Sequence, residues 1–349
     1  MLTGIRFPNK INAEELDKYL ESGWRPMGQG IYTTNFLRPD DGKVYSTLSA
    51  RLPLESYSFG KRMRKLLKKN RAKFSVIVRK AQLTEEITRV AQAYHKQFPD
   101  RGGSEIEFHL ENHRGEKVFN TLQVLVYKGK RLVAFSLIDV GKISLYSKIG
   151  LYDPALAKDS LGIYTMLEEI QFALDQGMAY YYPGYVGVGL STFDYKHRIG
   201  ALEYYEIQSG QWRAYAHLEE CKTPIHQMKT ALKALYDEVK TQNILSGLFV
   251  YPSFDIKLSL PESLPYLDNP FVLLTDAKTT TAFNPYVTVF NPIEGLYEIQ
   301  QILLVGGRLV PEFIQKAQTW QDLQMTLVCT RPLFQSANLI ETADYLKKL

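Results

Sequence analysis

The order of hydrophobic patterns between Val118 and Tyr182 narrows most what this chain can fold into. Leu122 to Tyr127, Leu132 to Asp139 and Ile143 to Lys148 read as consecutive strands, the first two joined by the turn Lys128-Gly129-Lys130. Ser160 then stands as the N-cap of a helix. Its apolar stripe is Ile163, Leu167, Ile170 and Leu174, and Gly177 marks its end. Tyr180 to Tyr182 returns as a strand. Antiparallel strands, a helix and a further strand require a sheet with a helix laid across it, an α+β arrangement.

At 349 residues the chain exceeds what one core usually supports, so two or three domains are expected. Residues 1–115 read as an αβ unit. Glu14 to Glu21 is a short helix, Ile31 to Thr34 and Ala50 to Leu54 are extended, and a helix beginning near Phe59 turns Met63, Leu66 and Leu67 inward. Phe74 to Val78 alternates as a strand, and Glu85 to Phe98 is an amphipathic helix with Ile87, Val90, Ala91 and Tyr94 inward. Residues 116–220 hold the strand–helix–strand order above. Residues 221–349 read as an α/β extension: a helix from Pro224 to Lys240, then short strands and helices such as Ile293 to Leu304 and Ser336 to Lys348.

Hydrophobic residues at 45% and charged residues at 23% exclude a disordered or low-complexity chain. Cys221 and Cys329 are far apart and lack metal-ligand spacing, so no metal, cofactor or disulfide framework is expected. No signal-like or membrane-spanning apolar run is present, which gives a cytoplasmic expectation and no membrane partner. The net charge is +5, and it is unevenly placed. From Ser58 to Lys80 stand Lys61, Arg62, Arg64, Lys65, Lys68, Lys69, Arg71, Lys73, Arg79 and Lys80 without one acidic residue, the footprint of a surface for a phosphate backbone.

The unusual residues concentrate between Leu151 and Tyr205. Ser160, Leu161 and Gly162 put free N–H groups at a helix start, where an anion is favoured. Alternation sends Tyr181 to one face of its strand and Tyr180 with Tyr182 to the other. Aromatic packing is the common use of such a run, and stacking an adenine or holding a peptide terminus is the alternative. Glu168 and Glu169 are adjacent, so one of them at most faces the sheet. Glu169 adjoins the apolar stripe.

These residues carry a resemblance. The order of the strands and helix matches the acyltransferase fold of the GCN5-related type. Asp139, Tyr152-Asp153-Pro154, Ser160-Leu161-Gly162, Glu169-Ile170, the run Tyr180 to Tyr185 and Tyr195-Lys196 resemble the C-terminal part of the arginyl-tRNA-protein transferases and their bacterial leucyl relatives. Upstream, GWRPMGQGIY from Gly23, RLPL from Arg51 and FGKRMRKLLKKN from Phe59 resemble the amino-terminal part, so about the first 215 residues are covered. The chain departs from the family in lacking cysteine pairs between the GWR and RLP elements, in Pro183 where Leu is usual, and in a segment after Lys196 without the common proline.

The resemblance implies a GCN5-type mixed sheet with flanking helices, two such units, and transfer of arginine or leucine from charged tRNA to the α-amino group of a protein or peptide. It casts Asp139, Asp153, Glu169 and Lys196 as catalytic candidates. Tyr152, Ser160, Leu161, Gly162, Tyr182, Gly184, Tyr185 and Tyr195 become candidates for binding substrate. Lys61, Arg62, Arg64, Lys65, Lys68 and Lys69 become candidates for gripping tRNA. The rivals are an acyl-CoA-dependent N-acyltransferase of the same fold and a non-catalytic RNA-binding adaptor.

Overall fold

The computed structural model describes residues 2–99, 105–259, 264–276, 285–306 and 311–349. The chain begins with β1 (Thr3–Arg6), α1 (Ala13–Glu21), β2 (Arg25–Met27), β3 (Gly30–Thr34), β4 (Phe36–Leu37) and β5 (Tyr45–Pro53). Next come α2 (Lys61–Arg71), β6 (Ser75–Lys80), α3 (Glu85–Gln97) and α4 (Ile106–Leu110). The central run is β7 (Thr121–Lys128), β8 (Arg131–Val140), β9 (Ser144–Tyr152), α5 (Leu161–Asp175), β10 (Tyr180–Gly187), β11 (Glu203–Glu206) and β12 (Gln211–Ala214). After α6 (Pro224–Thr241) follow β13 (Ser246–Val250), β14 (Phe271–Asp276), β15 (Pro285–Asn291), β16 (Leu296–Val305), α7 (Pro311–Lys316), β17 (Gln321–Asp322), β18 (Thr326–Ser336) and α8 (Leu339–Lys348).

A nine-stranded sheet runs β12-β11-β5-β10-β9-β8-β7-β6, with β4 paired to β5. Its neighbours are antiparallel except β9 and β10, which are parallel because α5 carries the chain back between them. Antiparallel β7, β8 and β9, then a helix, then a parallel strand is the GCN5-type order. The sheet takes strands from both sides of position 115/116: β5 lies between β10 and β11, and β6 forms an edge on β7. β5 is longer than its sequence pattern because both its faces are covered, so it reads as a nearly continuous buried run rather than an alternation.

α5 packs on one face of the sheet with Leu161, Tyr164, Leu167 and Ile170 inward, beside Met63 and Leu67 of α2. α3 and α4 close a second core over β7 and β8. At β10 the same sheet is covered by α1 and the small antiparallel sheet β1-β3-β2, whose edge strand β2 tolerates Pro26. The C-terminal sheet, β17-β13-β14-β15-β16-β18, has its own core under α6 and α8, and Leu2 and Phe36 join it from the amino-terminal side. Ile293 to Leu304 lies largely in strand β16, and Leu339–Lys348 is helical. Among the described residues no helix is long and apolar enough to cross a membrane.

One bulge ties the amino-terminal hairpin to the sheet. Ile138 pairs with Ser147 and Leu137 with Ile149, leaving Lys148 as the extra residue of β9. Its fully buried ammonium lies 2.8 Å from Asp139 and donates to the carbonyls of Gly28 (3.1 Å) and His109 (3.3 Å). Thr121 donates its hydroxyl to Asp139 (2.6 Å), and Gln29 bridges the His109 carbonyl and the Val118 N–H at 2.7 Å each. Burial lowers the Lys148 amine, and burial with the Lys148 charge pushes His109 down to about 4.

Breaking such a pair leaves one uncompensated charge. Asp139→Asn or Lys148→Met alone should cost about 3–5 kcal/mol in urea unfolding, and the double variant should cost clearly less than the sum. Additive losses would contradict a coupled pair.

Candidate active site

β9 and β10 pair only from Ser144–Tyr180 to Tyr146–Tyr182 and then separate. The cause is local. Pro183 has no N–H to give, and Gly184 takes φ +90° at an irregularity in the β5–β10 register between Tyr181 and Gly184. Into the gap reaches Lys196, from the 3-10 turn Ser191–Arg198. Its Nζ donates to the Tyr185 carbonyl (2.6 Å) and lies 5.2 Å from the ring centres of Tyr185 and Phe193 and 5.9 Å from that of Tyr195. A Cβ at Gly184 would come within 3.4 Å of Nζ and 3.8 Å of the Tyr146 hydroxyl, so the glycine also makes room for this amine. Burial, helped by the nearby Arg25 charge, pushes Lys196 down to about 7.

Sequence reasoning missed Arg25 as a member of this site. It is 2% exposed on β2, donating Nη1–H to the Ser49 hydroxyl (2.7 Å) and Nη2–H to the Thr34 carbonyl (2.8 Å). Its guanidinium carbon lies 5.0 Å from the Tyr32 ring centre and 4.9 Å from that of Tyr185, and its Nε has no partner. Among the described residues no carboxylate forms an ion pair with Arg25 or Lys196. Two buried cations among Tyr32, Tyr146 and Tyr185 therefore leave positive charge uncompensated, a setting complementary to an anion or a developing oxyanion. The one sequence sign was an arginine set between Trp24 and Pro26 in the GWRPMGQGIY run.

On the α5 side, Glu169 is fully buried. The Tyr181 hydroxyl donates to its Oε2 (2.7 Å). Burial pushes the carboxyl up to about 7, against the pull of the Ser136, Tyr181 and Ser147 hydroxyls. Glu168 turns to α2, where Arg71 grips it with two bonds of 2.8 Å. Glu169 is thus the carboxylate that faces the sheet, and its neighbour is claimed by the basic helix.

The other expected residues are distributed. Asp139 sits in the buried Lys148 pair, so its charge is already answered within the fold. Asp153 caps the turn Pro154–Asp159, accepting from the Ala155 N–H (3.0 Å), and ion-pairs with Arg131. Tyr152 stands edge-on to Tyr94 (5.3 Å) and against Gly162. Ser160 precedes α5 at φ +53° and its side chain makes no capping bond, a correction to the expected hydroxyl cap; Leu161 is buried and Gly162 half-buried.

Tyr182 is also corrected. The face of β10 that carries Tyr180 and Tyr182 is packed rather than open to a ligand: Tyr182 meets Trp212 edge-on (5.6 Å), and Arg51 lies over Tyr180 (4.0 Å) and Trp212 (4.4 Å). The structure brings together Gly184, Tyr185, Tyr195 and Lys196. On α2, Lys61, Arg62, Arg64, Lys65, Lys68 and Lys69 are exposed, with Met63, Leu67 and Asn70 inward. Asn70 donates to the Asp159 carbonyl (2.8 Å), and Lys69 (3.2 Å) and Lys73 (2.6 Å) pair with the Asp159 carboxylate, so the basic helix adjoins the turn that opens α5.

Glu169 offers a pH test of the site's geometry. Its carboxyl ionises near 7 when folded and near 4.5 when unfolded, so its penalty on folding grows as pH rises between those values and is full above them. Glu169→Gln should therefore be more stable than the parent by about 3 kcal/mol at pH 8 and nearly equal at pH 4.5, read by urea unfolding. An equal difference at both pH values would contradict it.

Known proteins resemble this chain over the same elements. Residues 80–206, from the end of β6 to the end of β11, match the family model described as "Arginine-tRNA-protein transferase, C terminus". Curated relatives are named "Aspartate/glutamate leucyltransferase". That of Leptospira interrogans is 28% identical over 195 residues, covering 54% of this chain and 74% of its own. That of Paracoccus denitrificans is 25% identical over 252 residues, covering 68% and 86%. Among solved structures, L-PGS from Bacillus licheniformis matches at 16% identity and a TM-score of 0.34, over 60% of this chain and 65% of that one. A GCN5-related glucosamine N-acetyltransferase region of a fungal multi-domain protein matches at 11% identity and a TM-score of 0.31, over 54% and 21%. Matches that loose say nothing about what this chain binds. The family model and the relatives fall on the strands and helix that build the site, and mark the chain as a transferase enzyme similar to the arginyl-tRNA-protein transferases and bacterial leucyltransferases.

Proposed function

We propose that this enzyme moves an amino acid, leucine by the names of its relatives, from charged tRNA to the α-amino group of a protein or peptide that begins with an acidic residue. A cytoplasmic location belongs to this reading. The observation that carries it is the pair of buried cations, Lys196 at Gly184 and Arg25 against Ser49 and Tyr185, which have no carboxylate partner among the described residues. Arg25 fits an acidic acceptor side chain or the oxyanion of the reaction. Lys196, about half neutral near pH 7, takes the proton released by the attacking amine.

In the reaction the acceptor nitrogen bonds to the ester carbonyl carbon, the bond from that carbon to the ribose oxygen breaks, and the proton passes from nitrogen through Lys196 to the departing oxygen. An α-amino group with a pKa near 8 is partly neutral already, so alignment and a modest base suffice. Glu169 and Tyr181 support β10 from the α5 side. The exposed cations of α2 hold the acceptor stem through phosphate contacts without reading sequence.

The direct test is incubation with mixed aminoacyl-tRNAs and peptides beginning with Asp, Glu, Asn or Gln. Leucine should appear on the acidic pair. No transfer from any charged tRNA would refute the reading, and tight acetyl-CoA binding would redirect it to acyl-CoA. Lys196→Met should lower kcat/KM about 10²–10⁴-fold and remove the activity rise through pH 7, and Lys196→Arg should not restore it, because a guanidinium does not give up its proton. An unchanged pH profile would remove Lys196 as the base.

Replacing Lys61, Arg62, Arg64 and Lys65 with Gln should make the log–log salt dependence of tRNA binding shallower by about 3–4. An unchanged slope would take α2 out of the RNA surface.

A further inference from the structure

We infer that Phe7 is a stacking platform for the unpaired 3′-terminal base of the aminoacyl-tRNA, at the mouth of the Arg25–Lys196 cluster. The inference rests on the proposed transfer reaction and names where its RNA end is held. Its basis is the face of a single strand. Gly30 and Tyr32 are two residues apart on β3 and so point the same way, about 7 Å apart. A side chain at Gly30 would meet the Phe7 ring at 3.1 and 3.2 Å, which puts that ring on the Tyr32 side of the strand. Across the hairpin, Arg25 pairs with Tyr32 and Met27 with Gly30, so Arg25 shares this face.

Exposure rises along the face, from Arg25 at 2% and Tyr32 at 8% to Phe7 at 67%. A ring so open to water on the hairpin face that carries the buried Arg25 is suited to a ligand that is flat and anionic together, as a nucleotide is. Phe108, also exposed, covers the same hairpin tip at Gly28, whose added Cβ would meet its ring at 2.3 Å. Two exposed rings bracketing one tip fit consecutive unpaired bases better than a single peptide side chain. The glycines at 28 and 30 are what allow both rings to lie down on the turn.

The experiment is a thermodynamic cycle. Binding of an acceptor-stem RNA minihelix ending in an unpaired adenosine is compared with binding of the same RNA lacking that adenosine, for the full-length parent, Phe7→Ala and Phe7→Trp. Removing the adenosine should weaken binding to the parent roughly tenfold or more, have little effect on Phe7→Ala, and matter fully again in Phe7→Trp. Equal weakening in parent and Phe7→Ala would overturn the inference, as would a rise in KM for the acceptor peptide instead of the RNA. A parent that transfers amino acids but shows no such coupling would sink the Phe7 platform alone. A parent that neither transfers nor binds the minihelix would sink the proposed reaction and the platform with it.

Discussion

The site depends on β10 leaving β9. Parallel strands in hydrogen-bonded register present no room for a substrate, and here the register ends at Tyr182 because Pro183 cannot donate and Gly184 adopts a backbone angle that favours glycine. The separation frees the Tyr185 carbonyl to accept from Lys196 rather than from a neighbouring strand. It also lets the small amino-terminal sheet come down over the opening and deliver Arg25.

Energetically, the opening is the least satisfied part of the fold. Lys148 is a buried cation that the fold answers in full, with Asp139 and two carbonyls. Among the described residues Arg25 and Lys196 receive hydroxyl, carbonyl and ring contacts but no carboxylate, and Arg25 retains an unpartnered Nε. Buried charge of this kind is costly unless a ligand answers it. The contrast between the paired and unpaired cations separates scaffold from site more sharply than residue type does.

The strand–helix–strand order between Leu122 and Tyr182 was legible because hydrophobic period and glycine position are local properties. So were the inward residues of α2 and the split of Tyr181 from Tyr180 and Tyr182. What covers the second face of β10 was not legible, since Arg51 and Trp212 arrive from distant strands. The partner of Asp139, cast as a catalytic candidate, was not legible because it enters through a bulge, which shifts Lys148 out of simple alternation. Arg25 gave no periodic signal at all; its role comes from the placement of a three-residue edge strand over the gap.

Transfer as proposed rests on Lys196 being a buried amine beside the Arg25 guanidinium. The measurement that bears on it most directly is the titration of Lys196 by carbon NMR after selective isotope labelling, in the free protein and with an acidic acceptor peptide bound. A midpoint near 7 that rises when the carboxylate-bearing peptide binds is the expected result. A midpoint at the ordinary lysine value of 10.5, unmoved by the peptide, would contradict it.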